Sequence, residues 1–280
     1  MSIPLPSKVS ITPLEKHQAQ IAIEPCYPGY GMTIGNTLRR VLLASLEGSA
    51  VVAVRIHNAP HEFTTLPFVK EDALELVLNV KNLRIKILGD QEEVKLTVRH
   101  KGEGKVKAGD ITPDSGVEIM NPELVLATVT DDSVEFEMDL FVRRGRGFDA
   151  IESRGKGREE IGVIDVDAIF SPVRAVSLKT ERVRVGQMTN WDRVLLDVTT
   201  DGSLTPEEAF DRATKILFDH FQYLVNYKEL AKVEVVEAEV KTEEVPGQVS
   251  AEEEKPKEAE VPPEGEQKEE KKKSKKKKTS

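Results

Sequence analysis

The sequence predicts an α+β fold in which a sheet and two long helices form one domain from both ends of the folded part. Helical apolar spacing occurs twice, once early and once late in the chain, and both stripes are wide. The stretch between them is dominated by alternating apolar residues, as in half-buried antiparallel strands. From Glu234 onward the apolar periodicity stops. We therefore predict a discontinuous domain over residues 1–48 and 171–232, an inserted β-rich domain over 49–170 and a disordered tail over 233–280.

The first helix follows a strand-like run, residues 19–23, and a turn that contains Pro28, Gly29 and Gly31. Its predicted N-cap is Thr33 and its predicted terminator is Gly48. Leu43 and Leu46 make the far side apolar as well, so one sheet cannot cover the whole helix, which favours contact with a second chain. The main stripe has helical spacing and consists of Ile34, Leu38, Val41, Leu42 and Ser45.

The predicted inserted domain contains a short apolar strand at 50–56, an irregular segment at 61–68 and a helix at 70–81. Alternating strands follow at 83–87 and 94–98, and the strongest alternation in the chain lies at 134–142. Short turns separate these runs, which is typical of antiparallel sheets.

The second half of the discontinuous domain is predicted to contain strands at 176–185 and 194–198 and then a long helix. Thr205, Pro206 and Glu208 form a capping box with proline at the first helical position, and the helix is predicted to end near Lys232. Its apolar stripes are again wide. They consist of Ala209, Ala213, Ile216, His220 and Leu224 on one line, and of Phe210, Leu217, Phe221 and Leu224 on the next.

Composition excludes several classes of function. Aromatic residues make up only 5%, so base stacking on single strands is not the main activity. Cys26 is the only cysteine, which excludes an internal disulfide and fits a reducing compartment. No apolar run reaches signal-peptide or membrane-spanning length, so we expect a soluble, cytoplasmic protein without membrane contact.

The net charge of −9 is unevenly distributed. Residues 234–270 hold 14 acidic and four basic side chains, whereas residues 271–280 hold seven lysines and no acid. The mildly acidic remainder gives no reason to expect duplex DNA bound over a broad face.

No motif in the chain indicates catalysis or a cofactor. Gly29, Gly31 and Gly35 between a strand and a helix could cradle a phosphate, but their spacing fits neither the dinucleotide fingerprint nor the Walker loop. We favour turn glycines over a nucleotide-using enzyme. His57 and His61 with Glu62 could be read as metal ligands, but Pro60 intervenes and no cysteine lies nearby, so we predict no metal.

Several longer motifs in combination carry a family resemblance. They are T-x-G-N-x-L-R-R at 33–40, HEFTTLPFVKED at 61–72, RGRGF at 144–148, SPV at 171–173, ERVRVGQMTN at 181–190 and TDGSLTPEEA at 200–209. Over roughly residues 1–230 the chain resembles the amino-terminal half of the alpha subunits of bacterial-type DNA-directed RNA polymerases. The resemblance implies a non-catalytic scaffold that forms a homodimer and nucleates assembly of the beta and beta-prime subunits.

The resemblance also implies two sets of site residues. The dimer interface is expected to contain Ile34, Leu38, Val41, Leu42, Ser45, Phe210, Leu217, Phe221 and Leu224. Large-subunit docking is expected to involve Arg39, Arg40, His61, Glu62, Arg144, Arg146, Phe148, Ser171, Pro172, Val173, Gly186 and Gln187. Arg40 matches the second arginine of the family motif. The residues alone also allow Arg39 and Arg40 to pair with acids of this chain, and RGRGF to be a plain loop or an RNA-binding patch.

The competing prediction from another class is a free-standing nucleic-acid-binding protein that uses the RGRG loop and the lysine tail. Weak DNA contact by the run from Lys271 to Lys278 also stays open. Family members carry a second helical domain that binds promoter DNA, and no such pattern follows Lys232. Promoter recognition is therefore not expected of this chain.

Overall fold

A computed structural model of the chain describes residues 3–89, 91–112, 116–154 and 162–243, with side chains described as far as Tyr227. The α+β prediction is confirmed. The helices are α1 Tyr30–Ala44, α2 Ala73–Lys81 and α3 Pro206–Glu243. The strands are β1 Lys8–Glu15, β2 Gln18–Cys26, β3 Glu47–Ile56, β4 Ile85–Ile87, β5 Glu93–Lys101, β6 Gly104–Lys107, β7 Val117–Ile119, β8 Val125–Val129, β9 Glu135–Arg146, β10 Phe148–Asp149, β11 Val163–Asp165, β12 Ala168–Ile169, β13 Val173–Val185 and β14 Met188–Thr200.

One antiparallel sheet combines strands from both ends of the folded part, in the order β1-β2-β14-β13. Helix α1 lies on β13 and β14, and the first turns of α3 pack into the same core. Leu42, Leu196 and Ala213 are each fully buried there, one from each of the three elements. Elements far apart in the chain thus share one apolar core.

A second, larger sheet lies between these segments in the sequence. Its order is β5-β9-β3-β4-β7, with β11 paired to β3, and each pairing is antiparallel. Alternate residues of β9, among them Met138 and Leu140, face a core that also contains Leu76 and Val80 of α2. The alternating run at 134–142 therefore belongs to β9, an interior strand of this sheet that pairs with β5 and β3. The exact domain boundaries stay a prediction.

The limits of α1 differ from those predicted. The helix begins at Tyr30, its N-cap is Gly29 with a left-handed φ of 84°, and Ser45 is the C-cap. Thr33 is therefore inside the helix, and Gly48 lies in β3 instead of terminating the helix. Only glycine adopts this left-handed conformation without strain. Gly29 therefore allows a tight turn directly after Pro28, and the helix begins before the predicted N-cap, Thr33.

Gly48 has a packing role that its position in the sequence does not reveal. It stands opposite Gly145 of β9 in the register of the two strands. A Cβ on Gly48 would lie 2.0 Å from the carbonyl oxygen of Phe170, and one on Gly145 would lie 2.6 Å from the Phe170 ring. The two glycines form a notch that admits Phe170, which is only 3% exposed.

The capping box of α3 is present as predicted. Glu208 N–H donates to Thr205 Oγ1 at 3.2 Å, and Thr205 N–H donates to Glu208 Oε2 at 3.1 Å. The helix continues past the predicted end near Lys232 to Glu243. The rest of the predicted tail, including Lys271 to Lys278, lies outside the described residues.

Candidate assembly surfaces

Two glycines let α1 approach its sheet closely. A Cβ on Gly35 would meet Leu178 Cδ1 at 2.5 Å, and one on Gly31 would meet the Cβ of Asp192 at 2.8 Å. Thr180 Oγ1 also contacts Met32 Sδ at 3.6 Å. The G-x-x-x-G spacing therefore fixes how deeply α1 lies on the hairpin of β13 and β14.

The Asp192 carboxylate occupies the amino terminus of α1. Its Oδ2 accepts from Gly29 N–H at 2.8 Å and from Gly31 N–H at 3.2 Å. Helix α1 itself has no capping side chain at its N-cap and no acidic residue in its first turn. A strand residue far along the chain therefore supplies the negative charge that the helix dipole favours at this end. These amides, which a phosphate loop would leave free, already bind a carboxylate. The geometry therefore favours a structural role for these turn glycines over a phosphate-binding one.

Burial and the nearby Asp192 charge raise the pKa of the Cys26 thiol.

An apolar groove runs between the amino-terminal segment, α1 and α3. Its cavity of about 550 Å³ is lined by Leu5, Pro6, Val9, Ile23, Thr33, Ile34, Thr37, Leu38, Phe210, Thr214, Leu217 and Phe221. Five residues predicted for the dimer interface, Ile34, Leu38, Phe210, Leu217 and Phe221, come together here. Val41 and Ser45 line a separate depression of about 410 Å³ beside Arg40.

One part of the dimer-interface prediction needs correction. Leu38, Leu42 and Phe210 are 5%, 0% and 9% exposed within a single chain, because the first sheet covers them. Leu42 therefore has no surface left for a partner. The expectation that one chain cannot cover these helices applies only to the side of α1 and α3 that faces away from the sheet.

The distal part of α3 is the most exposed apolar surface that the structure describes on a helix. Leu224, predicted for the interface, is 61% exposed. The two predicted apolar stripes, which extend only as far as Leu224, also leave several exposed apolar residues unassigned. The unassigned exposed apolar residues are Phe218, Tyr223, Val225 and Tyr227, together with Leu5 and Val9 of the amino-terminal segment.

The predicted docking residues divide by exposure. Arg39 and Arg40 are exposed, and neither has a carboxylate partner among the described residues, which disfavours internal pairing. His61 and Glu62 are exposed on the segment before α2, and Gly186 and Gln187 form the exposed tip of the β13–β14 hairpin. These six positions lie open to a partner.

Pro172 and Val173, by contrast, are buried within the chain, so their side chains offer no exposed surface for docking. Pro172 is covered because the chain turns there beside Gly48, and Val173 begins β13 inside the first core. Ser171 is half-buried, and its hydroxyl donates to Val173 O at 3.1 Å.

The RGRGF segment is part of β9 and β10 and carries its own internal contacts. Arg144 Nη2 donates to the carbonyl oxygens of Ile87 and Gly89. Arg146 lies 3.8 Å from the carboxylate of Glu47, and Phe148 is 63% exposed. Apart from Gly147, the segment therefore belongs to two strands and not to a loop.

The His57–His61 reading as a metal site finds no support in the geometry. His57 Nδ1 lies 3.8 Å from Glu137 Oε2, whereas His61 Nδ1 is 3.2 Å from Thr64 Oγ1. Among the described residues, no three histidine, cysteine, aspartate or glutamate side chains cluster as metal ligands. In the same part of the chain, no helix combines the length and apolar character that crossing a bilayer requires.

Comparison with known proteins gives the family. Residues 54–171 match the family model described as RNA polymerase Rpb3/RpoA insert domain. The chain is 45% identical over 224 residues to the DNA-directed RNA polymerase subunit alpha of Carboxydothermus hydrogenoformans, covering 80% of this chain and 71% of that protein.

Two further relatives carry the same name. The protein of Heliobacterium modesticaldum is 46% identical over 227 residues, covering 81% of this chain and 71% of the relative. That of Desulfovibrio desulfuricans is 48% identical over 206 residues, covering 74% of this chain and 59% of the relative. The chain therefore belongs to the family of DNA-directed RNA polymerase alpha subunits.

Proposed function

We propose that this chain is a non-catalytic scaffold subunit of DNA-directed RNA polymerase, which pairs with a second copy and then binds the beta and beta-prime subunits. It contributes no catalytic group, metal or cofactor to a cytoplasmic enzyme that polymerises ribonucleotides on a DNA template. Membership of the alpha family supports the role, and the exposed apolar surfaces described above support the route of assembly.

The observation that carries the dimer is the apolar groove together with the exposed side of α3. The groove offers about 550 Å³ lined mostly by apolar side chains, and Phe218, Leu224 and Val225 are all more than half exposed. A monomer that left this surface in water would be prone to nonspecific association. In a two-fold dimer, each α3 fills the groove of the other copy, and an obligate interface of this kind buries roughly 2,000 Å² or more.

The dimer is tested by sedimentation of the full chain at micromolar concentration. We expect a dimer for the wild type and a folded monomer for Phe221→Asp. A carboxylate buried in the dimer interface would lose its hydration without gaining a hydrogen-bond or ion-pair partner. Phe63→Asp is the matched control, since Phe63 is 75% exposed and does not line the groove. This control should stay dimeric. A well-folded wild-type monomer would refute the proposal.

Docking of the large subunits is tested with Arg40→Ala. Arg40 is an exposed guanidinium without an acid partner among the described residues, so its removal should leave the dimer and its unfolding midpoint unchanged. We expect recovery of beta and beta-prime by co-purification to fall about tenfold or more, as for a central interface arginine. Lys105→Ala, an exposed cation on β6, is the control. Equal recovery with both variants would remove Arg40 from the docking surface.

A further inference from the structure

Two neighbouring cavities, lined mainly by residues of β3, β4 and β9 and by the start of α3, form a cleft that contains several cations. The first, of about 240 Å³, is lined by Glu47, Gly48, Ser49, Ile85, Lys86, Ile87, Arg144, Ser203, Leu204 and Arg212. The second, of about 440 Å³, is lined by Glu47, Glu92, Arg143, Arg144, Gly145 and Arg146. They share Glu47 and Arg144, so we treat them as one feature, the basic cleft. Its five cations face two carboxylates.

Two of these cations already pair with acids of the chain. Arg143 Nη2 pairs with Asp149 Oδ2 at 2.5 Å, and Arg146 lies 3.8 Å from Glu47. The same Asp149 oxygen also pairs with Arg154 at 2.9 Å, so the charge of Arg143 is only partly compensated, whereas Arg146 and Glu47 offset each other.

The other three cations, Lys86, Arg144 and Arg212, keep their full positive charge. Arg144 is bound by the carbonyl oxygens of Ile87 and Gly89, which satisfy its N–H groups but carry no formal charge. Its Nη2 hydrogens are thus both used, and the guanidinium is held in place with its charge unpaired, so it attracts a carboxylate through its charge. Within the described residues, neither Lys86 nor Arg212 has a carboxylate at ion-pair distance.

We propose that the basic cleft receives an acidic segment of the large-subunit partner, an inference that rests on the function proposed above. A positive cleft on a chain of net charge −9 is a local exception, and complementary charge is what selects and steers a partner. A peptide with spaced carboxylates can meet each cation separately and keep clear of Glu47 and Glu92. A small free anion at the same place would be repelled by Glu92 at short range.

The test measures the rate at which beta and beta-prime subunits associate with the intact dimer, at low and at high salt. In Lys86→Gln/Arg212→Gln the association rate at low salt should fall about tenfold, and the difference should disappear at high salt. Glu92→Gln should act in the opposite direction and accelerate association, because it removes a repulsive charge from the cleft. A purely structural role does not give effects of opposite sign.

The control variant is Lys101→Gln/Lys105→Gln, which removes two exposed lysines that line neither cavity. It should associate at the wild-type rate. The inference is overturned if the Lys86 and Arg212 variant also associates at that rate, or if Glu92→Gln slows association. The inference is also overturned if inorganic phosphate stabilises the wild type but not the double variant while both associate with the large subunits at the same rate. The cleft would then be a small-anion site. Failure of the wild type itself to associate would count against the proposed scaffold, and that result is distinct from a defect confined to the variants.

Discussion

At the residue scale, Asp139 shows how the larger sheet tolerates a buried charge. It lies in the middle of β9 and is 5% exposed. Lys95 Nζ lies 2.9 Å from Oδ2, and the Thr97 hydroxyl donates to Oδ1 at 2.9 Å. Burial acts to raise the pKa of Asp139, but the hydrogen bonds from Lys95 and Thr97 and the charge of Lys95 outweigh it, so the pKa is lowered overall.

This pKa shift predicts a pH dependence of stability. Because the folded-state pKa lies below the unfolded value of about 3.9, Asp139 stabilises the fold above that pH and loses its contribution as the pH falls through the folded value. Asp139→Asn should lower the free energy of unfolding by about 1–3 kcal/mol near neutral pH, with the deficit shrinking in acid. Urea unfolding followed at several pH values measures it. A deficit that is constant down to acid pH would contradict the assignment.

Asp192 makes a related point about prediction from sequence. Its carboxylate binds the first amides of α1, yet the two elements are separated by more than half the chain. Residue spacing predicted a helix that follows a glycine turn, and a local cap at Thr33. It could not predict a cap supplied by β14, because nothing in the local pattern encodes which distant side chain lies beside a helix terminus.

At the scale of elements, three glycines control how strands and helices approach one another. Gly48 and Gly145 form the notch for Phe170, and Gly35 lets α1 lie against β13. The consequences of adding a methyl group differ. At Gly48 the obstacle is a backbone carbonyl oxygen, whereas at Gly35 the nearest obstacle is a terminal methyl of Leu178, which can rotate, and a Val194 methyl lies at 3.2 Å.

Gly48→Ala should therefore be costly and Gly35→Ala mild. We expect Gly48→Ala to lower the free energy of unfolding by about 1–3 kcal/mol or more, as overpacking against rigid structure does. In Gly35→Ala the better helix propensity of alanine, worth about 1 kcal/mol, offsets the displacement of Leu178, so the net change should be small. Urea unfolding at one fixed protein concentration compares the two variants. A small loss in Gly48→Ala would show that the notch is less rigid than its geometry indicates, and a large loss in Gly35→Ala would show that Leu178 cannot move aside.

At the scale of the whole molecule, the fold divides its apolar surface between internal cores and a surface left for assembly. The first sheet buries Leu38 and Leu42 of α1, while the opposite side of α1, the distal part of α3 and the amino-terminal segment stay open. The dimer tested by Phe221→Asp thus depends on the part of each helix that its own sheet does not reach. The basic cleft lies beside Arg144, at a separate place on the surface.

The sequence by itself determined the α+β class, the alternating strand of the larger core, the α3 capping box, and through its motifs the alpha-subunit family. Hydrophobic periodicity, turn chemistry and motif spacing are local properties, so they can be read along the chain. Tertiary structure decided which side of α1 is covered, why Gly48 and Gly145 are glycines, that Pro172 and Val173 are buried, and that Lys86, Arg144 and Arg212 line one cleft. Each of these depends on contacts between residues distant in sequence, and such contacts are fixed only when the sheets pair and pack.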